Sequence, residues 1–434
     1  MNTICKHSDI DIYLLYFIEL NAMAKLTVLS KDQYEIMHNQ QFIKELFLLH
    51  APELREKIST MKEKHPVTAL NVIEYASMDN YISLIKFMDE SVNKFEYSET
   101  ALTFAAFFGH LNILDWFYKS TYKFKTKNNI ISTIAFNGHV SVLEWFMKIS
   151  DSVGNDKHAY VFEYDTWAID FASQNGHVSV LEWFREVCRL NKNKLIYEFK
   201  YTQRAINRAA ERGHISILKW FNESEYEFKY NENAINWAAE NGNIEVLKWF
   251  DKSKHEFKYD KYTINAAAEN GHIRVLEWFD KSNYEFKYSK TAIDHASKEG
   301  YIEVLDWFDK SKHEFKYSEY AIDFGSKNGH ISVLKWFDES KYEFRYTENA
   351  IDFASQNGHI KVLDWFDKSK YKIKYSKYAI NSALENRNFE VLEWFALAAN
   401  KDKSRYEFKY STSAINLESN DGLIVLQWLK KNQL

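Results

Sequence analysis

The chain has 434 residues, 46% of them hydrophobic and 27% charged, which is the balance of a folded protein and not of a disordered one. Only Pro52 and Pro66 interrupt it, which points to helices with short connections, and a formal net charge of -5 offers no bulk attraction for nucleic acid or an anionic membrane. Cys5 and Cys188 form no CxxC pair and no apolar run reaches membrane-span length, so zinc ribbons, dithiol redox centres and transmembrane helices are excluded.

Residues 1–50 do not repeat. Apolar positions over Asp9 to Leu20 and Leu26 to Leu46 recur at helical spacing, so two or three amphipathic helices are expected. Ile12 to Leu20 is apolar, but Asp9 and Asp11 before it and Glu19 within it are wrong for a secretory signal. The segment Leu26-Thr27-Val28-Leu29-Ser30-Lys31, with Ile10, Leu14, Leu15, Phe17 and Leu20 upstream, resembles an F-box. Asp11 stands where that family carries proline, and Phe42 near its tryptophan. The resemblance implies docking on the adaptor subunit of a cullin–RING ubiquitin ligase, through Leu14, Leu15, Leu20, Leu26, Val28 and Leu29. The alternative is a helical cap that shields the first repeat. Residues 51–66, bracketed by Pro52 and Pro66, read as a charged connecting helix or linker.

From residue 67 to 434 the chain repeats. A turn glycine recurs at Gly109, Gly138, Gly176, Gly213, Gly242, Gly271, Gly300, Gly329, Gly358 and Gly422, with Asn80 and Arg387 at the same place in two more units. The spacing is 29 residues wherever nothing is inserted, giving about twelve units. Eleven residues before the glycine stand Ser98, Asp165, Thr202, Asn231, Asp260, Ser289, Ser318, Thr347, Ser376 and Ser411, residues whose side chains satisfy the free N–H groups of a helix start. A first helix therefore begins there, with Ala292, Ile293 and Ala296 on one face in the unit Ser289–Tyr317, and ends at Gly300. A second helix carries Ile302, Val304, Leu305, Trp307 and Phe308. Trp falls seven residues after the glycine position in ten units, from Trp116 to Trp394, and its indole is expected to be sealed in the interior. Phe315 and Tyr317 alternate with polar residues, so the connection is expected to be extended. A helix pair this short cannot cover its own apolar face, whereas stacked neighbours can, so the fold is an all-α solenoid.

The stretch from Ala350 to Leu363, with Asn357-Gly358-His359 at its turn, resembles an ankyrin repeat. Ala350 replaces that family's proline, Asp352 its first histidine, and the period is 29 where 33 is usual. The F-K-Y and V-L-x-W-F blocks are similar to those of ankyrin proteins from giant DNA viruses that infect amoebae. The resemblance implies protein binding along a concave surface and an intracellular setting, the host cytoplasm if the source is viral.

Three insertions fall between a second helix and the next first helix. They include Asp151 to Asp156, Leu190 to Lys194 and Ala399 to Lys403, and are expected to protrude as loops. The last unit is degenerate: Glu418 replaces the small alanine and Trp428 comes one residue early, as suits a polar end cap.

Catalytic and metal motifs are absent. His255-Glu256 and His313-Glu314 begin a zinc-protease pattern, but Tyr259 and Tyr317 fill its second histidine. Histidines after the turn glycine lie one repeat apart and cannot converge on one ion, so they are read as hydrogen-bonding braces of the turn. No cofactor and no enzyme activity are expected. The Phe-Lys-Tyr lysines are balanced by glutamate, as in Glu285-Phe286-Lys287-Tyr288, which with the net charge speaks against a nucleic-acid partner. A binding face should vary while the core stays fixed. The positions five and nine before the glycine do so, which makes Arg208, Trp237, His295, Phe324, Phe353, Tyr262, Tyr320 and Tyr378 the candidate partner-binding residues. The resulting reading is a protein–protein interaction scaffold. A ubiquitin-ligase substrate adaptor and an RNA-binding repeat protein are the alternatives.

Overall fold

The computed structural model describes residues 69–83, 85–86, 89, 97–120, 122, 129–151, 161–190, 197–402, 404–411 and 427–431. The expected N-terminal helices, the F-box-like residues and the linker 51–66 lie outside them. The chain divides into two compact units, Met1–Ala205 and Ile206–Leu434. In the first, α1 (Ala69–Met78) precedes three helix pairs: α2 and α3 (Glu99–Phe107, Leu111–Lys119), α4 and α5 (Ile130–Phe136, Val140–Asp151), and α6 and α7 (Thr166–Gln174, Val178–Leu190). Then come α8 and α9 (Gln203–Glu211, Ile215–Glu223), α10 and α11 (Asn233–Glu240, Ile244–Lys252), α12 and α13 (Lys261–Glu269, Ile273–Lys281), and α14 and α15 (Thr291–Glu299, Ile302–Lys310). The series closes with α16 and α17 (Tyr320–Lys327, Ile331–Glu339), α18 and α19 (Asn349–Gln356, Ile360–Lys368), and α20 and α21 (Lys377–Glu385, Phe389–Lys401). The chain is an all-α helical repeat solenoid.

From α6 onward the first helices start within two residues of the cap that the sequence places. Asp165 Oδ1 accepts from the Trp167 amide at 2.9 Å, Asp260 Oδ1 from Tyr262 at 2.8 Å and Ser376 Oγ from Tyr378 at 3.0 Å. Nine first helices end in a left-handed glycine, and α1 and α20 in left-handed Asn80 and Arg387, with backbone bonds across the stop such as Gly329 N–H to Ser326 O at 3.1 Å and His330 N–H to Gly325 O at 2.8 Å. Each nine-residue second helix stops at a serine: Ser311 Oγ donates to Phe308 O at 2.9 Å and accepts from the His313 amide at 3.2 Å.

The core is one short list repeated. Ala292, Ile293 and Ala296 of α14, and Val304 and Leu305 of α15, are fully buried, and Phe308 is 1% exposed. In the second unit the first helices of successive repeats pack closely and the second helices touch far less, so the small-residue layer is the tighter side.

Two expectations need correction. The sealed ring is not the tryptophan but the phenylalanine after it: Phe250, Phe279, Phe308, Phe337 and Phe366 are at most 1% exposed. Trp249, Trp278, Trp307, Trp336 and Trp365 are only half-buried. Successive helix residues point about 100° apart. The Phe faces the layer of first helices, and the indole lies on the connection, where Trp278 stacks near Phe257 (5.5 Å) and Tyr284 (5.9 Å). The insertions do not begin as loops either. Val140–Asp151, Val178–Leu190 and Phe389–Lys401 run for 12, 13 and 13 residues where Ile302–Lys310 has 9, so the extra sequence first extends the second helix.

The turn histidines brace, but across repeats. Nε2–H of His110, His139 and His177 donates to the carbonyls of Met78, Phe107 and Phe136 at 2.9, 2.9 and 3.0 Å, each in the preceding repeat. This ring sits against the preceding turn glycine: a Cβ built on Gly300 (φ +80) would meet His330 Nδ1 at 2.8 Å. Gly358 (φ +75) faces only Asn388, at 3.7 Å. Gly358→Ala is therefore expected to cost about 1 kcal/mol, the backbone term alone, and Gly300→Ala more, because His330 must also move. Urea unfolding of the two variants side by side checks this, and equal losses would show that the histidine does not read the glycine.

Candidate interaction face

The first-helix layer leaves one side uncovered. Positions five and nine before the turn glycine are four apart and so share that side. Arg208, Trp237, His295, Phe324 and Phe353 are half-buried there, and Tyr262, Tyr320 and Tyr378 are 43%, 44% and 41% exposed. All eight belong to the second unit and form one row. Tyr320 stacks on Phe324 with centroids 5.1 Å apart. The Arg208 guanidinium lies 4.4 Å from the Trp237 ring centre and Lys327 Nζ 5.3 Å from that of Phe353, so cations of this chain cover rings of the next repeat.

Sequence reasoning missed the residues two before the glycine, which edge the row: Glu211, Glu240, Glu269, Lys298 and Lys327. Tyr262 O–H donates to Glu240 Oε2 at 2.9 Å, His295 Nδ1 lies 2.9 Å from Glu269 Oε2, and Lys298 Nζ 3.7 Å from Glu269 Oε1. Burial first, then the Glu240 bond and the neighbouring carboxylates, push the Tyr262 phenol up to about 12, so it stays a donor. It also missed Trp167 and Arg204 in the first unit, where the guanidinium is 4.7 Å from the indole centre. Trp167 shares Tyr262's offset from its glycine, so extending the same column would have found it.

Behind the row, an inter-repeat ladder was not foreseen. From Asp170 to Asp352 the residue six before the glycine is a buried Asp or Asn that holds the cap of the next repeat. Asp294 Oδ1 accepts from the Ser318 amide at 2.8 Å and Oδ2 from its hydroxyl at 2.6 Å. Asp170–Thr202, Asp323–Thr347 and Asp352–Ser376 repeat the pattern. Where the cap is Asn231 or Asp260, the partner is an amide, Asn207 or Asn236, whose Nδ2 donates at 2.6 and 3.2 Å. Desolvation raises all four aspartates against the pull of these bonds, Asp352 to about 6.

Further ladders run along the connections. Tyr284, Tyr342 and Tyr371 hydroxyls donate to Asp251, Asp309 and Asp338 of the repeat before at 3.1, 3.0 and 2.9 Å. Tyr259 O–H reaches Glu285 O at 2.8 Å and Tyr317 O–H reaches Glu343 O at 2.6 Å. The extended connection makes a one-residue turn, Lys258 N–H to Glu256 O at 3.1 Å, and forms no strand among the described residues. Its aromatics therefore serve packing between repeats.

Among the described residues no group of His, Cys, Asp and Glu could hold a metal ion, and no helix is long and apolar enough to cross a membrane. Leu14, Leu15, Leu20, Leu26, Val28 and Leu29 lie outside the described residues.

No family model matches the chain, and no curated protein matches it. Similar solved structures include the pentatricopeptide repeat protein PPR10 in complex with an 18-nt psaJ RNA element, at 10% identity over 87% of this chain and 58% of that one, with a TM-score of 0.35. A cysteine-substituted form bound to the same RNA element gives the same figures. PPR10 from maize gives 11% identity, 88% and 56% coverage and a TM-score of 0.33. This chain thus spans less than three fifths of that protein. Two of the three hold RNA, and the expectation that a nucleic-acid partner is unlikely is withdrawn. Its physical basis was also weak, because a net charge of -5 averages over 434 residues and says nothing of one face.

Proposed function

We propose that this helical repeat chain is a non-enzymatic, ankyrin-type scaffold that binds a protein partner along the open side of its first helices. The reading rests on one observation: the half-exposed row changes from Arg208 to Trp237, His295, Phe324 and Phe353 while Ile, Leu and Phe recur beneath it unchanged. Packing alone would repeat the surface as it repeats the core; rings and arginine at the centre of a face are what protein interfaces use as anchors. In this proposal residues 67–434 form the array, the setting is intracellular, and the F-box-like segment would bring the bound protein to a ubiquitin ligase.

Tyr320→Ala combined with Phe324→Ala should abolish recovery of proteins cross-linked to the chain in cells and leave the unfolding midpoint nearly unchanged. A control pair on the outer side of α17, Lys335→Ala with Glu339→Ala, should retain them. Identical recovery from all three forms would dismiss the reading. A second reading, single-stranded RNA along the same row, is favoured by Arg208 on Trp237, since bases stack on such platforms. It requires binding of an oligonucleotide that weakens steeply with added salt; salt-independent or absent binding removes it.

A further inference from the structure

In the connections from Glu198 to Glu343, and again at Glu407, a glutamate stands two residues before the cation and pairs with it. Glu256 meets Lys258 at 3.8 Å, Glu285 meets Lys287 at 3.5 Å, Glu314 meets Lys316 at 3.7 Å and Glu343 meets Arg345 at 2.8 Å. The connection after α19 breaks this rule. Lys372 takes the place of the glutamate, and Lys374 lies instead over the Tyr346 ring, 4.3 Å from its centre. Residues 368–377 hold Lys368, Lys370, Lys372, Lys374 and Lys377 and no acid, and all five lysines are exposed. The carboxylates nearby are already occupied: Asp338 by Lys370 at 2.9 Å, Asp367 by Arg405 at 3.5 Å and Glu343 by Arg345. Among the described residues no carboxylate lies within ion-pair distance of Lys368, Lys372, Lys374 or Lys377. The backbone beneath them is held, since the Tyr346 hydroxyl donates to the Lys372 carbonyl and Ile373 is 7% exposed. The rings of this connection are engaged in packing, Tyr371 on Phe344 at 4.0 Å and Tyr375 against Phe395 at 5.0 Å, and Ile373 replaces the phenylalanine of its neighbours.

We infer that the lysines of residues 368–377 form a docking surface for an acidic segment of a partner protein. Like charges clustered without counter-ions of their own raise the local potential and draw an anion. Lys372 and Lys374 are two residues apart, about the 6.6 Å that separates alternate side chains of an extended peptide. With its rings packed away, the connection gives bases nothing to stack on, which favours an acidic peptide over nucleic acid. Lys377 leads directly into the exposed Tyr378 of the row, yet the inference does not depend on the row and adds a second surface to it.

The full-length chain is titrated, by fluorescence anisotropy at low salt, with a labelled peptide of alternating Glu and Ser and with a twin of alternating Gln and Ser. The acidic peptide should bind about 10-fold more tightly, the size of a few exposed ion pairs together. Lys372→Glu rebuilds the pairing of the other connections, so it keeps the fold, and it should bring the acidic peptide to the level of its twin. Lys372→Gln with Lys377→Gln should weaken the acidic peptide by about 3-fold. Lys258→Gln, on a balanced connection, should leave it unchanged. Equal binding of the two peptides to the unmodified chain, no binding of either, or no effect of Lys372→Glu overturns the inference. So does a loss in Lys258→Gln as large as that in the double variant, because the attraction would then belong to no one connection. Oligouridylate that binds more tightly than the acidic peptide and is released by Lys372→Glu would also overturn it by giving the surface to nucleic acid. If the peptides bind alike while Tyr320→Ala with Phe324→Ala still loses the cross-linked proteins, the scaffold reading stands and the lysine surface alone fails. The reverse pattern keeps the lysine surface and dismisses the row.

Discussion

Phe308→Ala is expected to lower stability by about 3–5 kcal/mol, more than Trp307→Ala at the next position, although tryptophan is the larger side chain. Phe308 is 1% exposed and packs on Tyr288 and Phe286 of the connection before it, at 5.2 and 6.2 Å between centroids. Its removal leaves a cavity among fully buried Ala, Ile, Val and Leu side chains, which are too short to close it. Trp307 is half-buried and lies near Phe286 at 5.6 Å and His313 at 6.1 Å, so solvent can take up part of its space. Because repeats couple only to their neighbours, the loss should appear as fast amide exchange in α14 to α17 as well as in the urea midpoint. A larger loss at Trp307 than at Phe308 would mean that the indole is the principal core ring after all.

The period, the turn glycines, the caps and the small first-helix alanines were legible because each is a residue type tied to one backbone or packing need. The depth of Trp307 against Phe308 was not, since both are large, apolar and adjacent, and only the angle between them decides which is sealed. The connection misled for a related reason. Alternation at Phe315 and Tyr317 promises a strand, but Tyr288 and Tyr317 hydroxyls take the carbonyls of Glu314 and Glu343 that a neighbouring strand would have paired. The face was readable as columns of variation, yet its meaning depends on contacts between neighbouring repeats, such as Arg208 over Trp237, that lie 29 residues apart in the chain. The Asp/Asn column was fully visible in the sequence. What concealed it was its ordinary look of a helix-surface polar residue, when in fact Asp294 is 3% and Asp323 0% exposed.

That column behaves as a pairing code, and exchanging its letters has opposite expected results. Asn236→Asp sets a buried carboxylate against the Asp260 cap, where Nδ2 now donates to Oδ1 at 3.2 Å. The expected loss at pH 7 is about 3–5 kcal/mol, that of an uncompensated buried charge. Acid should restore part of it, since two close carboxylates share one proton, and Asp260→Ser should rescue it by rebuilding the Asp294–Ser318 arrangement. Asp352→Asn runs the other way. Asn265 already holds a serine cap, donating to Ser289 Oγ at 2.9 Å and accepting from its amide at 3.0 Å, so an amide at position 352 can hold Ser376 without a charge. Burial places the Asp352 carboxyl at about 6, above the ~3.9 of an unfolded chain. The folded state therefore binds that proton more tightly. The resulting stabilisation is complete below about pH 4 and is lost as the pH rises through about 6. Urea midpoints at pH 5 and pH 7 should then differ less in Asp352→Asn than in the unmodified chain, with no loss at pH 7. An unchanged difference would show that Asp352 stays ionised in its pocket, and that the choice of Asp or Asn along the column answers to something other than the cap it faces.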